Sequence, residues 1–141
     1  MKYLDALIIG AGFSGLYQLH CLRDKLKLNT LVIEEGKDIG GTWYWNTYPG
    51  ARCDSESFTY GFTFSEKIFK NWTWKERYPK QNVILKYLKY FSNELKLKKN
   101  IVFNEKVISA KYIEKNNLWK VQTNNKKKYY TKYLICAVGS L

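Results

Sequence analysis

The sequence predicts an α/β fold: a parallel sheet with helices packed on it and a small antiparallel meander inserted before the last strand. Three observations carry this. Two short apolar runs, 4–9 (LDALII) and 31–34 (LVIE), flank a glycine-rich turn and a helix-period segment, which is the pattern of a βαβ unit. Three strand-like runs follow a second helix-period segment, with Asn pairs between neighbours. A final apolar run, Tyr133–Val138 (YLICAV), ends on Gly139.

Each element has a local reason. The run at 4–9 is continuously apolar apart from Asp5, as a strand buried on both faces should be. Leu16, Leu19, Leu22 and Leu26 recur at three- and four-residue steps and give the first helix one apolar face. Residues 36–65 are rich in Gly, aromatic and polar residues without a period, which marks a functional loop, and the aromatics argue against disorder. Ile84, Leu88, Phe91 and Leu95 define a second helix beginning after Pro79. The runs 101–104, 107–114 and 118–123 read as a meander, with Asn116–Asn117 and Asn124–Asn125 at turns because Asn tolerates positive φ.

Composition bounds the rest. At 141 residues the chain is one domain, too short for the two dinucleotide-binding domains that need about 200–400 residues. No apolar run reaches the ~18–20 residues of a membrane-spanning helix. Asp5 breaks the apolar N-terminal run, so that segment is a strand and not a secretion signal. The three cysteines, Cys21, Cys53 and Cys136, have neither a CxxC nor metal spacing, and their odd number fits a reducing, cytoplasmic setting. The formal charge is +12, with residues 1–65 at −1 and 66–141 at +13. The basic residues are nearly all Lys, which reads as a solvated surface and not as a nucleic-acid or membrane interface.

Two motifs carry chemistry. Gly10-Ala11-Gly12-Phe13-Ser14-Gly15 is GxGxxG, with a strand before it, a helix after it and an acid, Glu34, 19 residues past Gly15 at the end of the next strand. Gly10 serves the turn, Gly12 the approach of a pyrophosphate, Gly15 the helix–strand packing, and Glu34 a ribose 2′-hydroxyl. The whole describes a Rossmann-type sheet binding FAD or NAD. The second motif runs from Gly40 to Ser57, GGTWYWNTYPGARCDSES. Gly40 and Gly41 allow close backbone approach, and Trp43, Tyr44, Trp45 and Tyr48 offer flat surface to a planar ring system. Arg52 and Asp54 place a cation and a carboxylate beside it, or form a local ion pair. The sole histidine, His20, reads as a surface or packing residue on the first helix and not as a catalyst.

The segment Gly40-Gly41-Thr42-Trp43-YWNT-Tyr48-Pro49-Gly50-ARC-Asp54 resembles the signature of the Baeyer–Villiger monooxygenases, the cyclohexanone monooxygenase-like flavoproteins, and the likeness runs over the whole chain. The resemblance implies an FAD- and NADPH-using oxidoreductase that converts ketones to esters or lactones. By position it assigns Gly10, Gly12, Ser14 and Gly15 to the FAD pyrophosphate and Glu34 to the adenosine ribose. It assigns Thr42, Trp43 and Trp45 to the flavin side, Gly41 and Tyr60 to cofactor binding, with Tyr60 approaching FAD, and Val107 to the adenine. Arg52, Cys53 and Asp54 would border the nicotinamide cofactor, and Asp54 would be the catalytic residue that orients an arginine. Residues 1–141 then form an incomplete FAD domain of a protein with two dinucleotide domains. Such a chain alone lacks activity, and a complementing chain would carry the NADPH domain. The alternatives are part of an N- or S-oxidising flavin monooxygenase and a non-catalytic FAD-binding module.

Overall fold

The computed structural model describes residues 2–139. Strand β1 (Lys2–Ile9) leads through the glycine turn into helix α1 (Phe13–Leu19), which continues as a π-helical segment over His20–Lys25, and then into β2 (Thr30–Ile33). The loop that follows holds two short helices, α2 (Thr42–Trp45) and α3 (Glu66–Lys70), and is closed by α4 (Gln81–Glu94). Strands β3 (Ile101–Val102), β4 (Val107–Ile113), β5 (Leu118–Thr123) and β6 (Lys128–Cys136) complete the chain. All six strands form one sheet in the order β3-β2-β1-β6-β5-β4.

The register explains how two architectures share that sheet. β1 pairs in parallel with β2 on one side and with β6 on the other, from Lys2↔Tyr129 to Ile9↔Cys136. The first half of β6 also pairs antiparallel with β5, from Trp119↔Thr131 to Gln122↔Lys128. One nine-residue strand is therefore both the last strand of the meander and the central parallel partner of β1. This corrects two details of the sequence reading. The run at 101–104 lies outside the meander, because β3 pairs in parallel with β2 at the far edge. The last strand starts at Lys128 and not at Tyr133. Hydrophobic pattern specifies a strand's faces, but not which edge it joins.

Successive residues of β1 point to opposite faces, and both faces are covered. Ile8 packs with Val32, Leu16, Leu19, Ile84, Leu88 and Phe91 on the helical side. Leu7 packs with Leu31, Ile33, Val121 and Tyr129 on the side of the meander. The predicted apolar face of α1 holds at Leu16 and Leu19, which are fully buried, but fails at Leu26, which is exposed. The cause is the π-helical turn: Leu26 N–H bonds to the Cys21 carbonyl five residues back, so the face slips out of α-helical phase.

The long loop is held by aromatic packing. Phe62 lies 4.1 Å from the Phe91 ring, and its backbone N–H donates to the Tyr87 hydroxyl at 2.6 Å. Trp72 and Trp74 pack on Tyr87, and Trp72 stacks on Tyr90. These contacts, worth about 0.5–1.5 kcal/mol each beyond area burial, replace the missing secondary structure. His20 stacks on Phe64 at 4.9 Å and bonds Asp24 at 2.8 Å, a packing residue as expected. No helix among the described residues is long and apolar enough to cross a membrane.

Candidate functional site

A cleft of about 700 Å³ opens at the C-terminal ends of β1, β2 and β6, within the usual size for a small-molecule site and where open α/β sheets bind ligands. Its floor is the glycine turn. Gly10 has φ +100°, and a Cβ there would lie 2.5 Å from the Ala137 carbonyl oxygen, so the close approach of the chain after β1 to the chain after β6 admits no side chain. The turn then delivers its backbone to α1, whose first N–H groups have no partner within the helix and whose first residues, Phe13 and Ser14, line the cleft. These N–H groups suit an anion.

The second motif meets the first backbone to backbone. A Cβ on Gly41 would fall 2.9 Å from the Gly12 Cα, and Gly40 N–H donates to the Ala11 carbonyl at 3.0 Å. Helix α2 starts from this contact and carries Thr42, Trp43 and Trp45 along the cleft wall. Trp43 is buried, and its indole N–H donates to the Tyr60 hydroxyl at 3.1 Å, with the two rings edge to face. Burial raises the Tyr60 phenol above its usual pKa, with Cys53 and Asp54 adding to the shift. Tyr60 therefore stays neutral near pH 7, as an uncharged polar group beside an apolar wall. Trp45 is exposed at the rim.

Glu34 is buried at the end of β2, and both carboxylate oxygens already have donors. Ala11 N–H bonds one at 2.7 Å and Gly36 N–H the other at 2.7 Å. The acid thus braces the glycine turn. An ionised carboxylate has about four acceptor sites, so it can still accept from a ligand.

The structure brings Gly10, Gly12, Ser14 and Glu34 together with Gly41, Thr42, Trp43, Trp45, Tyr60 and Val107 around one cleft. Gly15 lies behind the turn against the Gly10 carbonyl. Arg52, Cys53 and Asp54 do not line the cleft. The Arg52–Asp54 ion pair left open by the sequence is not formed: Arg52 is bridged to Lys80 and pairs with Glu76 at 3.7 Å, while Asp54 is exposed and accepts from Ser55 Oγ at 3.4 Å. The bridge places the 76–80 segment beside Arg52, and Glu76 takes the guanidinium. Cys53 is buried and its Sγ accepts from Ser55 N–H. Glu105 and Lys106, which the sequence reading did not single out, also border the cleft. No local signal marks them, since Glu105 is one of five scattered acids in residues 66–141.

The pattern of the family described as pyridine nucleotide-disulphide oxidoreductase matches residues 7–141. The chain belongs to the pyridine nucleotide-disulphide oxidoreductase family. The chain is 42% identical over 137 residues to a Baeyer–Villiger monooxygenase of Pseudooceanicola batsensis, covering 97% of this chain and 25% of that protein. It is 43% identical over 136 residues to a FAD-binding monooxygenase of Aspergillus aculeatus, covering 96% and 23%. The crystal structure of cyclohexanone monooxygenase from Rhodococcus sp. Phi1 bound to NADP+ matches with a TM-score of 0.96 and 40% identity, over 98% of this chain and 26% of that one. The chain thus spans about a quarter of the length of the relatives it matches.

Proposed function

We propose that this chain is the FAD-binding part of an NADPH-using Baeyer–Villiger-type monooxygenase that oxidises ketones to esters or lactones. The observation that carries the proposal is the backbone contact between Gly12 and Gly41. It joins a dinucleotide turn to the tryptophan-bearing signature in one cleft, and a Cβ at either position would narrow it. The residues fit FAD by the chemistry they offer. N–H groups at the start of α1 meet the pyrophosphate, Glu34 the ribose, and Trp43 with Tyr60 the apolar ring system. When bound, FAD supplies the activation of oxygen.

The chain's own residues do the rest. Gly10, Gly12 and Ser14 bind and orient the phosphates. Thr42, Trp43 and Trp45 shape the flavin end and exclude water from it. Tyr60 keeps its proton and holds the Trp43 indole. In our reading Asp54 orients an arginine supplied from outside residues 1–141, with Arg52 and Cys53 beside it at the nicotinamide side. The NADPH domain and the ketone site belong to the remaining three-quarters of such a protein or to a complementing chain. The three free cysteines support a cytoplasmic setting.

The test is a titration of the purified chain with FAD, followed by flavin fluorescence and visible absorbance. One-to-one binding that is lost in Gly12→Val supports the proposal. No binding by the wild-type chain overturns it.

A further inference from the structure

The wall of the cleft beyond Glu34 is the four-residue loop between β3 and β4, 103–106, stitched on both sides. Toward β2, Asn104 N–H donates to the Gly36 carbonyl at 3.0 Å, and Glu105 N–H to the Glu34 carbonyl at 3.0 Å. Lys106 Nζ reaches Glu35 at 3.0 Å on the rim. Toward the meander, Lys106 N–H donates to Asn124 Oδ1 at 3.0 Å, and Asn124 N–H returns a bond to the Lys106 carbonyl at 2.9 Å. At the centre sits the Glu105 side chain, 1% exposed. One carboxylate oxygen accepts from the Tyr129 hydroxyl at 2.9 Å and the other from Lys127 Nζ at 2.5 Å.

Burying a carboxylate is costly unless it is paired and hydrogen-bonded. An apolar side chain would fill the same space at less cost. What the polar network adds is one fixed geometry. It ties the hairpin between β5 and β6 to the loop, the loop to the Glu34 backbone, and Glu34 in turn to the Ala11 N–H in the glycine turn. A dinucleotide whose pyrophosphate lies at that turn, with its ribose at Glu34, has its adenosine toward this loop.

We infer that Glu105 is a positioning residue for the adenosine half of a bound dinucleotide: held by Lys127 and Tyr129, it fixes the 103–106 loop as a preformed wall. A wall ordered before binding spares the ligand that ordering cost. The inference rests on the reading of the cleft as an FAD site.

The test uses the full chain, Glu105→Gln, and two probes, FAD and ADP. The substitution keeps the side chain's volume and removes its charge. Both Kd values are expected to rise by a common factor of about ten, while the visible spectrum of FAD bound at saturation stays that of the wild type. FAD affinity within twofold of wild type overturns the inference. So does a loss confined to FAD with ADP unchanged, or a bound-flavin spectrum shifted toward that of free FAD, which marks general loosening. If Glu105→Gln does not fold, Lys127→Met on the exposed hairpin carries the test. A parallel rise of about threefold in both Kd values is expected there, and unchanged values overturn the inference. A wild-type chain that binds ADP but not FAD overturns the FAD reading and leaves the wall to be judged on ADP alone, whereas binding of neither overturns both.

Discussion

At Gly15 an added Cβ would stand 1.9 Å from the Gly10 carbonyl oxygen, a distance no relaxation of a side chain can relieve, because the obstacle is backbone. Gly15→Ala is therefore expected to push α1 off β1 and to cost about 1–3 kcal/mol or more, read as a lower urea midpoint. Glu105 sets a second expectation at this scale. Burial works against its ionisation, but the donors aimed at it, Lys127 foremost, outweigh that and hold its carboxyl below the usual 4.5. A group depressed on folding contributes stability above its unfolded value, and the contribution is lost as pH falls through the folded one. Asp24, held down chiefly by its bond from Arg23, and Asp38, by Lys98 and Lys89 against the cost of burial, act in the same direction. The partner Tyr129 is pushed up to about 12, by burial first and then by the Glu105 carboxylate. Its contribution is present below the ordinary phenol value of 10 and is lost as pH rises toward 12. Urea midpoints should hold between these limits and fall below about pH 4.5, and Glu105→Gln should show a shallower acid limb than the wild type. Equal slopes would contradict the role given to this carboxylate.

Among the elements, the end of α4 depends on a residue of the βαβ unit, from the π-helical segment after α1. Arg23 donates to the Leu95 carbonyl at 2.7 Å, to the Lys96 carbonyl at 3.2 Å and to Asn100 Oδ1 at 3.1 Å, where the last carbonyls of a helix lack partners. Charge-assisted bonds of this kind contribute about 1.5–3 kcal/mol, so Arg23→Ala should lower the unfolding free energy by about 2 kcal/mol. Amide exchange should quicken first in the last turn of α4. Exchange that quickens uniformly would count against a local cap. None of this was legible beforehand, since Arg23 and Leu95 are 72 residues apart. What was legible is what local period and turn chemistry dictate: β1, the glycine turn, β2, the start of α4 after Pro79, and the turn at Asn117, whose φ is +51°. At the next turn the positive φ falls on Lys126, not on Asn124 or Asn125. The site divides in the same way. Glycines and tryptophans announced themselves by spacing. Glu105 and Lys106 reach the cleft only because β3 pairs with β2 and sends the following loop past Glu34, a pairing that the local pattern does not encode.

For the molecule as a whole, the balance of covered and open surface bears on stability. β5 pairs with β6 only as far as Thr131, so residues 133–136 of β6 pair on the β1 side alone among the described residues. Tyr133 and Val138 near that edge are exposed, as are Trp45 at the cleft rim, Tyr48 and Phe58. A half-open central strand and scattered aromatic surface predict a chain of modest stability that is sensitive to concentration, since open edges template pairing between copies. A ligand that binds only the folded chain raises its stability by RT ln(1 + [L]/Kd), about 2.7 kcal/mol at a hundred times Kd. For a domain of this size that corresponds to roughly 8–11 °C in melting temperature. FAD at saturation should therefore produce a shift of that order in the wild type and none in Gly12→Val, measured by circular dichroism at a protein concentration low enough to suppress pairing. The shift should grow logarithmically with free FAD, because the linkage is through mass action. A high-temperature cooperative melt without FAD, unmoved by its addition, would show that the sheet is complete as it stands and that the cleft contributes nothing to holding it.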